Sequence, residues 1–134
     1  MQKIGILNSS IAKVLADMGH TDQLVIGDCG LPVPQGTPKI DLALRLREPK
    51  FIDVVREVAK YMIIQKIYVA PETETENPEQ WKALHEVFPE DQVEWAVLDS
   101  HEALKKMENG AKAVIRTGEN TPFSNVVLES GCII

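Results

Sequence analysis

The chain has 134 residues, 44% hydrophobic and 25% charged, the size and balance of one ordinary globular domain over residues 1–134. Its net charge of −6 argues against a binder of the phosphate backbone, because nucleic-acid affinity rests on a surplus of Lys and Arg. No apolar run approaches the roughly 20 residues of a membrane helix, and the apolar start at Ile4 to Leu7 is too short for a secretory core.

The first element is a helix. Asn8, Ser9 and Ser10 stand as polar caps before Ile11, Val14, Leu15 and Met18, whose spacing predicts an amphipathic helix over 10–18 that stops at Gly19. Leu24, Val25 and Ile26 predict a first strand at 23–28. Gly27-Asp28-Cys29-Gly30 then turns sharply, and Pro32 and Pro34 forbid an immediate return to a ladder or helix. A loop over 30–38 therefore borders Asp28 and is placed to wall a pocket. A second strand is expected at 39–44. A helix opens at Pro49 and runs to Met62, with Phe51, Val54, Val55, Val58 and Met62 on one face. Residues 64–70 predict a third strand, rich in β-branched and aromatic side chains.

Residues 71–78 read as a solvated acidic linker. Trp81, Leu84, His85 and Phe88 recur at helical spacing, and a strand follows at 93–98. Asp99 and Ser100 cap a short helix through Met107, which Asn109-Gly110 breaks. Strands are expected at 113–116 and 123–128, separated by a turn-rich loop at 117–122. Strands alternating with helices predict an α/β layered sandwich with a largely parallel sheet. The apolar ending Ile133-Ile134 and the uncovered strand edges point to subunit packing.

Cys29 and Cys132 are too few for a disulfide framework or a zinc site, and read as free thiols of a cytoplasmic protein. His20, Asp28 and His101 are residue types that bind metals, yet no close-spaced ligand pair exists. No Ser stands in a GxSxG elbow, and Asp28 beside Cys29 disfavours a thiolate. No glycine-rich phosphate loop is present. General acid/base chemistry remains. His20 and His101 both fall at element boundaries, as Asp28 and Asn125 do, whereas His85 sits within an apolar helical face. Histidine gives and takes protons near neutrality, and Asn125 and Lys105 supply hydrogen bonds to hydroxyls. That set suits a small polyhydroxylated ligand. His20 and Asp28 flank one strand, however, and five strand residues span roughly 17 Å. They share a site only if His20 reaches along the strand or another subunit closes the gap.

Six segments carry a resemblance: Leu7-Asn8-Ser9, Met18-Gly19-His20-Thr21-Asp22, Asp28-Cys29-Gly30-Leu31-Pro32-Val33-Pro34, Ile40-Asp41-Leu42-Ala43-Leu44, Arg116-Thr117-Gly118-Glu119 and Asn125-Val126-Val127-Leu128. In order and spacing the chain resembles the ribose pyranase and fucose mutarotase family of sugar-ring isomerases, with the Asp28 segment closer to its ribose branch. The resemblance implies an α/β fold, pentameric rings stacked as a decamer, and sites between neighbouring subunits. It implies His20 as proton donor and Asp28, His101 and Lys105 as sugar-binding residues. Phe123, Ser124 and Asn125 match a Tyr-x-Asn binding segment, with Phe123 a departure that removes one hydroxyl. The implied reaction interconverts pyranose and furanose forms of D-ribose, with no metal or cofactor. A non-catalytic sugar binder, a fucose-type mutarotase and a structural ring-former are the other readings.

Overall fold

The apolar runs at 24–26, 113–115 and 126–128 are buried on both faces and make the middle of one sheet. A computed structural model describes residues 1–134. The elements are α1 (Ser9–Asp17), β1 (Gln23–Gly27), β2 (Lys39–Asp41), α2 (Phe51–Ala59), β3 (Ile64–Val69), α3 (Pro71–Glu76), α4 (Pro78–Val87), β4 (Glu94–Val97), α5 (His101–Met107), β5 (Ala113–Arg116) and β6 (Val126–Ser130). The six strands lie in the order β2-β5-β1-β6-β3-β4.

The expected α/β layering is present, but the sheet is mixed. β1 pairs parallel with β5, β5 with β2 and β3 with β4, whereas β6 runs antiparallel to both β1 and β3. Five strands therefore point one way and β6 alone points back. The reason lies in the connection: only the loop at 117–125 separates β5 from β6, too little chain for a covering helix.

Side chains alternate across the sheet. Leu24, Ile26, Ile115, Val126 and Leu128 face a core completed by Ile11 of α1, Phe51, Val54, Val55 and Val58 of α2, and Leu84 of α4. Val25, Val114 and Val127 face the other way, against Leu104 of α5 and the Leu31 loop. Burying each large apolar side chain is worth about 1.5–3 kcal/mol, so the α2 stripe is what holds that helix down.

Four boundaries differ from expectation. Residues 71–76 are not a solvated linker but α3: Pro71 occupies its first turn, Thr73 is fully buried, and Asn77 caps α4 by accepting from the Gln80 amide at 3.3 Å. β2 stops at Asp41, whose Oδ1 accepts the Ala43 amide at 3.0 Å and diverts the chain. α2 ends at Ala59 rather than Met62. β6 starts at Val126 rather than Phe123, because residues 121–124 form a turn with Phe123 at φ 55.

Glu108, in the one-turn helix after α5, is 1% exposed and its Oε1 has no hydrogen-bond partner. Burial pushes its carboxyl from 4.5 up to about 7, against the pull of Lys105. A raised folded value means that the native state holds this proton longer than the unfolded chain. Its contribution to stability is therefore complete below 4.5 and is lost as pH rises through about 7. Glu108→Gln removes the ionisation. The urea midpoint of the variant relative to wild type is expected to rise more at pH 8 than at pH 5.

Candidate active site

Every strand but β6 ends at the same edge, and there the chain gathers Asp28 after β1, α3 after β3, His101 after β4, and Asn125 before β6. The carboxyl edge of parallel strands is where open α/β sheets bind ligands. Asn125 is fully buried and ties the group together. Its Oδ1 accepts the Asp28 amide at 3.2 Å, and its Nδ2 lies 3.1 Å from His101 Nε2. An amide oxygen that is already accepting leaves the NH2 to donate. His101 Nε2 is therefore the acceptor, and the neutral ring carries its proton on Nδ1. The Phe123 ring meets the His101 ring edge-on at 5.1 Å.

Asp28 Oδ1 accepts the Gly30 amide at 2.9 Å, a turn that the Asp-Cys-Gly sequence favours. Burial raises the Asp28 carboxyl above its usual value, while the Gly30 amide and the Asn125 side chain pull it down. Gly27 makes the approach possible, since a Cβ there would lie 2.8 Å from Asn125 Oδ1 and 2.4 Å from Leu31.

Two expected binding groups are placed otherwise. The Ser124 side chain is fully buried, with its Oγ bonded to Thr121 (2.9 Å), Asn77 (3.3 Å) and Gln80 (3.0 Å). Its hydroxyl holds the turn. Lys105 lies one turn beyond His101, but its ammonium pairs with Glu102 at 2.6 Å. Sequence reading missed Glu72, whose Oε1 accepts the His101 backbone amide at 3.2 Å, and Thr73, which donates to the Phe123 carbonyl at 2.8 Å. Both lie in the segment read as linker. Pro71 as a first helical residue was the available signal.

His20 is at the opposite edge of the sheet. It is exposed, bonds Gln65 Oε1 through Nε2 at 2.9 Å, and lines a cleft of about 320 Å³ with Tyr61, Met62, Ile63, Cys132 and Ile133. His20 and the Asp28 group thus stand at opposite edges of the subunit, with β1 between them. No three His, Cys, Asp or Glu side chains converge as a metal would require. No helix is long and apolar enough to cross a membrane.

Residues 1–133 match the RbsD / FucU transport protein family. The chain belongs to this family. RbsD/FucU relatives include the D-ribose pyranase of Lactobacillus gasseri, 52% identical over 131 residues and covering 98% of each chain. The D-ribose pyranase of Lactobacillus acidophilus is 53% identical over 133 residues, 99% of each chain. Among solved structures, Bacillus subtilis RbsD complexed with D-ribose superposes with a TM-score of 0.93 at 47% identity over 100% of both chains. The fucose mutarotase of Streptococcus pneumoniae shares the fold at a TM-score of 0.81 and 17% identity, over 96% of this chain and 95% of that one.

The Asn125 bridge has a direct test. Asn125→Leu keeps the volume but removes both hydrogen bonds, leaving the Asp28 amide without its acceptor. Ribose affinity, measured by saturation-transfer NMR titration, is expected to fall at least tenfold.

Proposed function

We propose that this chain is a D-ribose pyranase, a sugar-ring isomerase that interconverts pyranose and furanose ribose at a site completed between subunits. One observation carries the reading: full-length similarity, at a TM-score of 0.93 and 47% identity, to an RbsD structure that is complexed with D-ribose. Curated relatives named D-ribose pyranase at 50–53% identity over 98% or more of the chain support the same activity. Similarity to the fucose mutarotase, at 17% identity, extends to the fold alone.

The chemistry needs a proton delivered to the ring oxygen and one taken from the anomeric hydroxyl. Opening gives the free aldehyde, and closure through a different hydroxyl changes the ring size. His20 is the acid/base group. Asp28 accepts hydrogen bonds from sugar hydroxyls. His101 and Asn125 orient the sugar, and Phe123 packs on its apolar face where a tyrosine would add a hydroxyl. Lys105 joins only by leaving Glu102. The reaction as written draws on no metal or redox cofactor.

Assembly follows from the separation of the half-sites. Apolar side chains surround each: Tyr61, Ile63 and Ile133 near His20, and Leu44 and Leu46 beside Cys29. Their exposures run from 44% for Ile63 to 86% for Ile133, more apolar surface than a free subunit leaves in water. A contact that places the His20 edge of one subunit against the Asp28 edge of the next is head-to-tail, and repetition closes a ring. Pentamers stacked as a decamer fit this scheme, with one domain per subunit working in the cytoplasm.

His20→Ala is expected to retain its fold and lose at least a hundredfold in turnover, within the 10²–10⁴ that a placed proton-transfer group supplies, measured by NMR exchange between pyranose and furanose signals. Wild-type exchange in that variant would remove His20 from the role. Light scattering at micromolar concentration is expected to give a mass many times that of the 14.9 kDa chain; a monomer would end the shared-site reading.

A further inference from the structure

A chain of hydrogen bonds runs from His20 into the sheet. His20 Nε2 meets Gln65 Oε1 at 2.9 Å, and Gln65 Nε2 donates to Glu129 Oε1 at 2.8 Å. Glu129 Oε2 in turn accepts from the Tyr68 hydroxyl at 2.7 Å and Gln23 Nε2 at 3.3 Å. Burial alone would raise the Glu129 carboxyl. The bonds from Tyr68, Gln65 and Gln23, with Lys66 nearby, hold it below its usual value, so it is an anion at neutral pH.

The direction of every bond follows from this anion. A carboxylate only accepts, so the Gln65 NH2 is turned toward Glu129. The Gln65 amide oxygen is left for His20, and an amide oxygen also only accepts. The proton of a neutral His20 ring must then sit on Nε2, with the Nδ1 lone pair free to take a proton. The backbone is built for the contact. Between Ile64 and Lys66 the β3–β6 register shifts, with Ile64 opposite Ser130 and Lys66 opposite Glu129. Gln65 is the extra residue of this irregularity, and such bulges re-aim a side chain.

We infer that Glu129, acting through Gln65, is a positioning residue that fixes the His20 tautomer and leaves Nδ1 as the nitrogen that exchanges protons with the sugar. The inference rests on the reading of His20 as the acid/base group. Its logic also predicts an inversion. In Glu129→Gln, Tyr68 and Gln23 still donate and hold the new amide oxygen, so the new NH2 faces Gln65. The Gln65 amide must flip, His20 Nε2 must accept, and the ring proton moves to Nδ1.

Tautomers are read by NMR of protein labelled with ¹⁵N-histidine, at a pH where the ring is neutral. Wild type is expected to show a protonated Nε2 at His20. E129Q is expected to show a protonated Nδ1, and to lose about tenfold to a hundredfold in kcat with KM for ribose unchanged. The double variant Q65L/E129Q, which lacks the relay, is expected to return to a protonated Nε2. An unchanged tautomer in E129Q overturns the inference, as does inversion that persists without Gln65. Should E129Q not fold, Q65L alone gives the test: without the amide oxygen a fraction of the neutral His20 rings is expected to carry the proton on Nδ1, and a ring as fully protonated on Nε2 as in wild type refutes the relay. His20→Ala at wild-type rate would instead refute the acid/base reading, and the tautomer result would stand apart from it.

Discussion

β6 runs against both of its neighbours, bonded to β1 along 23–26 and to β3 along 64–68. The reversal puts its two ends at opposite edges of a sheet whose other strands all point one way. At its start, Asn125 reaches the carboxyl ends of β1 and β4 and bridges Asp28 to His101. Near its finish, Glu129 reaches the amino ends of β1 and β3 and meets Gln23 and Gln65. One five-residue strand, buried along Val126, Val127 and Leu128, therefore has Asn125 just before its start and Glu129 near its finish, one at each edge of the sheet. The apolar centre of β6 fixes its register, because a one-residue slip would turn Val127 and Glu129 to the wrong face.

The same hydrogen-bond logic gives the neutral rings of the two histidines opposite tautomers. Around His101, a backbone amide donates to Asn125, so Asn125 donates to Nε2. Around His20, a carboxylate accepts from Gln65, so Gln65 accepts from Nε2. An amide side chain passes on the polarity of whatever binds its far end. On the proposed reading, His101 then offers an Nδ1 proton to a hydroxyl, and His20 offers a free Nδ1 lone pair. The difference could not come from the imidazoles themselves, which are chemically identical.

On the proposed reading, a subunit has its acid/base group at one edge and its binding groups at the other and cannot join them around the same ligand. Strand geometry forbids it, since β1 is rigid, buried and in hydrogen bonds on both sides. Apolar surface around both half-sites supplies the remedy that the proposed ring uses. Assembly on this view is part of the active site.

The sequence by itself determined much of this protein. The helical stripe of α2, the cap of α1 at Asn8, the strands at 23–27 and 113–116, and the turn after Asp28 all follow from local spacing and turn chemistry. The placing of His20, Asp28, His101 and Asn125 at element boundaries was legible for the same reason, and the order of the six segments identified the family. Tertiary structure alone decided how the short loop before β6 packs against α3 and the start of α4. It packed α3 against that loop and committed the Ser124 hydroxyl to Asn77 and Gln80. It also joined His20 to Glu129 across 109 positions, by way of a β-bulge at Gln65. Local pattern cannot show these, because each is a hydrogen bond between residues whose only relation is that the folded sheet makes them neighbours.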